Sequence, residues 1–166
     1  RADVAIVGGG FTGLWTALFL KELAPEKEIV LLEGERIAYG ASGRNAGQIG
    51  ETFDHSHDLA IRHFGEDEAR RLAHLARKNL DEMEAFIARE AIDAEFSRVG
   101  QLVLALTKAH TRDVEIALAS ARQLGIDDWR LLDGEETRER RGSPLPLCAL
   151  FAPQAATVHP AKLAAG

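Results

Sequence analysis

Asp3-Val-Ala-Ile-Val-Gly-Gly-Gly-Phe-Thr-Gly-Leu-Trp-Thr-Ala-Leu-Phe-Leu20 opens the chain, and Glu28-Ile-Val-Leu-Leu-Glu-Gly-Glu-Arg36 follows soon after. The apolar run Val4 to Val7 predicts a short buried strand, and Gly8-x-Gly10-x-x-Gly13 comes directly behind it. Leu14, Ala17, Leu18 and Leu20 then recur at helical spacing until Pro25 breaks the pattern. A second apolar run, Ile29 to Leu32, ends on Glu33. Strand, glycine turn, helix, strand and acid in this order give a glycine pattern the context of a dinucleotide site.

The spacing assigns each glycine a task. Gly8 permits the tight turn off the strand, Gly10 admits a pyrophosphate against bare backbone, and Gly13 lets the helix lie close on the sheet. Phe11 and Thr12 complete the turn at the helix start, where free N–H groups and the positive end of the helix dipole favour phosphate. Glu33, with Gly34 beside it, follows Gly13 at about the 20 residues expected of the acid that accepts ribose hydroxyls. An acid there repels a 2′-phosphate. The motif alone leaves NAD and FAD both open.

The next stretch, Arg36-Ile-Ala-Tyr-Gly-Ala-Ser-Gly-Arg-Asn-Ala-Gly-Gln48, resembles the segment after the second strand in the D-amino-acid-oxidase-like (DAO) family of FAD-dependent amine oxidoreductases. Its Gly-Ala-Ser-Gly-Arg-Asn-x-Gly-Gln form is most similar to the gamma-glutamylputrescine oxidoreductase branch. The resemblance implies an α/β protein with a Rossmann-like FAD-binding domain and the beginning of an α+β substrate domain. It implies FAD as cofactor, held by Arg36, Ala41 and Ser42 near the adenosine and phosphates and by Asn45, Ala46, Gly47 and Gln48 along the flavin. It divides the chain into residues 1–93 of the flavin domain, 94–156 of the substrate domain and 157–166 returning to the flavin domain. The activity implied is oxidation of an amine or amino acid at its C–N bond, with hydride passing to flavin N5. Residues that grip the substrate come largely from later in such chains, so no catalytic residue is assigned.

The 166 residues suffice for a real core, and 46% hydrophobic with 28% charged content is that of a soluble globular protein. A net charge of −6 without a basic block argues against nucleic acid. A single cysteine, Cys148, fits a reducing, cytoplasmic setting, and no apolar run approaches the ~20 residues of a membrane span. The chain lacks an initiator Met and ends just after Pro160, which looks like the first position of a helix. It reads as the N-terminal part of a longer enzyme, and alone it is expected to bind FAD poorly and oxidise nothing.

Beyond the loop, Glu51 to Phe64 is polar and carries His55, His57 and His63. It reads as a solvated segment opening a helix, because no further metal ligands stand at a suitable spacing; His55 alone is a candidate for the edge of an active site. Glu66 to Glu90 is the clearest helix, with Ala69, Leu72, Leu75, Ala76, Leu80, Met83, Phe86 and Ile87 recurring every three or four residues and Arg70, Arg71, Arg77 and Lys78 on a solvated face. Phe96 to Leu106 reads as one strand or a hairpin, Thr111 to Leu124 as a helix stopped by Gly125, and Asp133-x-x-Glu136 as a capped helix start. Ala149 to Ala152 reads as a strand. His159 is either beside the cofactor or a turn residue satisfied by backbone, the second reading being preferred. Two other functions compete with amine oxidation: an NAD-dependent dehydrogenase and a non-catalytic flavin-binding subunit.

Overall fold

A computed structural model describes residues 1–52 and 55–166. In chain order the elements are β1 (Val4–Val7), α1 (Phe11–Leu23), β2 (Ile29–Leu32), a 3-10 turn (Ala41–Gly43), β3 (Gln48–Ile49), α2 (His57–Phe64), α3 (Glu66–Arg89), β4 (Ser97–Arg98), β5 (Gln101–Ala105), α4 (Lys108–Gln123), β6 (Arg130–Leu132), α5 (Gly134–Arg141), β7 (Cys148–Ala152), β8 (Ala156–Thr157) and α6 (Pro160–Ala165). They fall into two compact units. The first comprises Arg1–Gln48, Phe86–Phe96 and Val158–Gly166; the second comprises Ile49–Ala85 and Ser97–Thr157.

In the first unit, β1 and β2 pair in parallel with Val4 opposite Ile29 and Val7 opposite Leu32. A parallel pair needs a crossover, and α1 supplies it. The helix stops where Pro25 requires, with Lys21 Nζ reaching the carbonyls of Pro25 and Lys27 at 2.7 and 2.9 Å. The apolar run of β1, expected to be buried, instead alternates half-buried and exposed residues, and Val7 is 85% exposed. Strand side chains alternate between faces, and among the described residues only one face of this two-stranded sheet is covered. Trp15 of α1 stacks on Phe19 and packs against Phe86 with ring centroids 4.7 Å apart. At α6, His159 Nδ1 accepts from Lys162 N at 3.3 Å, which makes it the helix cap and supports the turn-residue reading.

The second unit is built on β7, which pairs antiparallel with β5 on one side and β6 on the other. Val114, Leu118 and Ala121 of α4 bury against this sheet together with Leu124, Ile126, Trp129 and Leu150. The helix begins earlier than its apolar stripe because Thr107 caps it, its hydroxyl accepting from His110 N at 3.2 Å. Asp133 caps α5 as expected, accepting from Glu136 N at 2.9 Å, and Gly142 ends that helix in the left-handed region.

Three expectations need correction in this unit. Phe96 to Leu106 is neither one strand nor a hairpin: β4 pairs with β8, β5 pairs with β7, and Gly100 at φ +73° breaks the chain between them. The Glu51-to-Phe64 stretch is not simply solvated, for Glu51 is 2% and His57 4% exposed. Arg77 does not stand on a solvated face, because it bridges Glu51 and Asp128. The Glu51 carboxylate also accepts from Trp129 Nε1 at 3.0 Å and from Gln154 N at 2.9 Å. Polarity alone misjudged these residues, because a carboxylate with this many donors can be buried.

Candidate dinucleotide site

The site lies in the first unit, where the parallel register puts the end of β1 beside the end of β2. Gly8 continues the ladder through its N–H to the Leu32 carbonyl at 2.8 Å and turns at φ +106°, a conformation other residues rarely adopt. Its missing side chain would meet nothing, so the backbone angle is what requires glycine there. Gly9 N donates to Glu33 Oε2 at 2.7 Å, and Glu35 N donates to Oε1 at 3.0 Å. The carboxyl is held below its ordinary pKa, chiefly by the Gly9 bond and next by the Glu35 bond. Glu33 is therefore an exposed, anionic acid fastened to the turn, with lone pairs left for sugar hydroxyls.

The 3-10 turn is brought to the helix start. Ser42 Oγ accepts from Phe11 N at 3.0 Å, at the position where the first turn of α1 would receive a phosphate oxygen. A Cβ on Gly10 would lie 2.9 Å from that same Oγ, so Gly10 makes room for Ser42 as well as for any ligand. A Cβ on Gly13 would run into the Gly8 carbonyl at the end of β1 and come within 3.4 Å of Ile6 Cγ2, so a glycine there lets the helix start lie close on the strand. The first turn of α1 contains no acid, and Gly10 offers no side-chain cap. With Thr12 exposed at the same end, these features suit a pyrophosphate, and the residues present fit FAD.

The rest of the loop is held from within. Asn45 Nδ2 donates to the carbonyls of Ala41 and Ser42 at 3.1 and 3.0 Å, and Asn45 Oδ1 accepts from Gly47 N at 2.9 Å. Gly47 is buried at φ +69°, its carbonyl accepts from Val158 N at 2.9 Å, and a Cβ there would overlap the Val158 carbonyl. Ala41, Ala46 and Gln48 are exposed, as is Gly34. Arg36 lies over the Tyr39 ring at 5.7 Å, and Arg44 over it at 4.6 Å. Among the described residues no hydrogen bond joins the side chains of Arg36 or Gln48 to the glycine turn.

Two residues that hold the site together carried no sequence signal. Ala38 is buried at φ +58° and donates to the Gly9 carbonyl at 2.8 Å, tying the loop to the turn. A Cβ on Gly43 would collide with the carbonyl of Ala38. Gly9, an unspecified position of the glycine motif, is as restricted as its neighbours: a Cβ there would meet Ile37 Cδ1 at 2.6 Å and Glu33 Oε2 at 3.2 Å.

A parallel strand pair with a glycine turn, a helix start and an acid bound back to the turn defines a Rossmann-type dinucleotide-binding protein. Residues 3–166 match the model of the DAO family, FAD dependent oxidoreductase, and the chain belongs to that family. It is 33% identical to the gamma-glutamylputrescine oxidoreductase of Escherichia coli, over 99% of this chain and 38% of that protein. To a probable oxidoreductase, OrdL, of Haemophilus influenzae it is 31% identical, over 100% of this chain and again 38% of the relative. The crystal structure of glycine oxidase from Geobacillus kaustophilus matches with a TM-score of 0.71 and 27% identity, covering 99% of this chain and 42% of that one. The chain thus spans well under half the length of these proteins.

Proposed function

We propose that the protein bearing this chain oxidises the C–N bond of a small amine or amino acid, and that residues 1–166 supply the adenosine and pyrophosphate part of its FAD site and one border of the flavin. The observation that carries the reading is the bond from Phe11 N to Ser42 Oγ, which joins the glycine turn and the 41–48 loop into one cradle. In this cradle Glu33 receives the adenosine ribose. The N–H groups of the α1 start, with Gly10, Phe11, Thr12 and Gly13, receive the pyrophosphate, and Ala41 and Ser42 flank it. Asn45, Ala46, Gly47 and Gln48 border the flavin, and Gly34 and Arg36 lie on the adenosine side. Bound FAD supplies a hydride acceptor at N5 for the C–H next to the amine nitrogen, and the imine product hydrolyses in water. The chain's own share is to hold and orient that group.

The identified relatives support an amine or amino-acid substrate: one is a gamma-glutamylputrescine oxidoreductase and another a glycine oxidase. Residues 1–93 and 157–166 are assigned to the flavin domain and 94–156 to the substrate domain. A single, buried, unpaired cysteine suits work in the reducing cytoplasm. The test is anaerobic titration of the FAD-loaded protein with a panel of primary and secondary amines and amino acids, and separately with NADH and NADPH. Bleaching of the flavin by a member of the amine panel is expected. Rapid bleaching by a nicotinamide with no response to the panel would overturn the assignment.

A further inference from the structure

Glu51 follows closely on Gln48, where the chain leaves the residues assigned to the flavin, and its two carboxylate oxygens serve different partners. Oε2 accepts from two side chains, Arg77 Nη2 and Trp129 Nε1, the indole at 3.0 Å. Oε1 accepts from a backbone group, the N–H of Gln154 at 2.9 Å. Gln154 is in turn held by its own side chain. Its Nε2 donates to Asp128 Oδ2 at 3.3 Å, and its Oε1 accepts from Arg98 Nη1 at 3.2 Å. The backbone bond therefore joins two residues that are each fixed by further contacts.

The position of that bond gives it a consequence for the cofactor. Between the flavin border and Glu51 the chain forms β3, Gln48–Ile49, which runs beside β8. A strand of 2 residues is shorter than the 3–10 of an ordinary one, so its ladder alone holds it weakly. Gln154 stands just before β8 begins at Ala156, so its bond to Glu51 ties the exit of β3 to the entry of the neighbouring strand. Burial removes competing water, which makes a charge-assisted bond of this kind a firm tether. We propose that Glu51 is a positioning residue for the flavin, its Oε1 holding β3, and with it Gln48, in place through Gln154. The proposal rests on the assignment of Asn45 to Gln48 to the flavin border.

Two variants of the full-length, FAD-loaded protein separate the two oxygens. In Glu51→Gln the carbonyl oxygen is expected to stay with Arg77 and Trp129, leaving the amide N–H₂ against the Gln154 N–H, donor facing donor. Trp129→Phe does the reverse: it takes a donor from Oε2 and leaves Oε1 on Gln154. Both should unfold earlier in urea, and both should keep the parent's FAD content, because adenosine and pyrophosphate are gripped elsewhere. Only Glu51→Gln should alter the visible circular dichroism of the flavin and shift its midpoint potential. Its flavin reduction at saturating amine should also slow by roughly ten- to a hundredfold, the effect of a misplacement near 1 Å. If Glu51→Gln yields no folded protein, Glu51→Asp, which draws the carboxylate back from Gln154, is read the same way. Parent-like dichroism and potential in the Glu51 variant would overturn the proposal, and so would equal changes in Trp129→Phe, which would show a general loosening. A parent protein that carries FAD but is reduced by no amine would sink the substrate reading alone, since dichroism and potential still decide the role of Glu51. A parent without FAD would overturn both.

Discussion

Removing the Glu51 carboxylate should destabilise the second unit more than any other single change to a polar side chain there. Its side chain is fully buried and accepts from three donors: Arg77 Nη2, Trp129 Nε1 and Gln154 N. Glu51→Ala leaves the indole and Gln154 N–H groups without an acceptor and leaves Arg77 with only Asp128. Removing one partner of a buried ion pair costs about 3–5 kcal/mol, and the stranded donors are part of that cost rather than an addition to it. Glu51→Gln keeps the shape and one acceptor oxygen but points an amide N–H₂ at a donor, for a loss of about 1–3 kcal/mol. Urea denaturation followed by tryptophan fluorescence reads both variants. With a slope of about 1–3 kcal/mol per molar, the alanine protein should unfold at least roughly 1 M earlier. A double-mutant cycle of Glu51→Gln with Arg77→Met should give a coupling of about 0.5–3 kcal/mol. A Glu51→Ala loss below about 1 kcal/mol, or no coupling to Arg77, would refute the reasoning, since an exposed pair behaves that way.

Other outcomes follow from the same structure. His57 has a pKa pushed below its ordinary 6.5 by burial first and Arg77 also, against Glu51 and Asp58. The unfolded chain then binds the extra proton more readily, so the contribution of His57 is fully present above about pH 6.5 and declines as pH falls from there through the folded pKa. Urea midpoints at several pH values should show that decline, and His57→Phe should flatten it. Glu33→Ala should weaken FAD without abolishing it, because the acid grips only the ribose; a titration showing unchanged affinity removes Glu33 from the site. Residues 1–166 expressed alone should self-associate, since Val7 at 85% and Leu23 at 83% exposure leave apolar surface beside an open sheet edge. A monodisperse monomer in analytical ultracentrifugation would contradict that.

The elements around the glycine turn were legible because local rules and tertiary structure agree there. Val4–Val7 and Ile29–Leu32 are strands with the bounds of their apolar runs, and Glu33 follows the second strand directly; its bond from Gly9 N is a contact that the spacing did not imply. The long helix α3 was equally plain from its period, and Asp133 and Pro160 marked helix starts by cap chemistry. What could not be read depends on partners remote in sequence. Arg77 on a helix face looks solvated until Glu51 and Asp128 are seen beside it. Strand β6, Arg130–Leu132, has too few residues to display a period and exists because β7 offers it an edge. Ala38 takes a left-handed conformation that alanine disfavours, and only its bond to Gly9 and the approach of Gly43 explain why.

The central claim is that the turn at Gly8 to Gly13, closed by Ser42, holds the FAD pyrophosphate. Flavin content of the purified full-length protein and of its Gly10→Val variant tests it most directly, read from the visible spectrum and from the nucleotide released on denaturation. A valine at Gly10 would press on Ser42 Oγ and fill the space assigned to the phosphates. The account expects equimolar FAD in the parent protein and a folded, colourless variant. A yellow Gly10→Val protein with the parent's flavin content would contradict it.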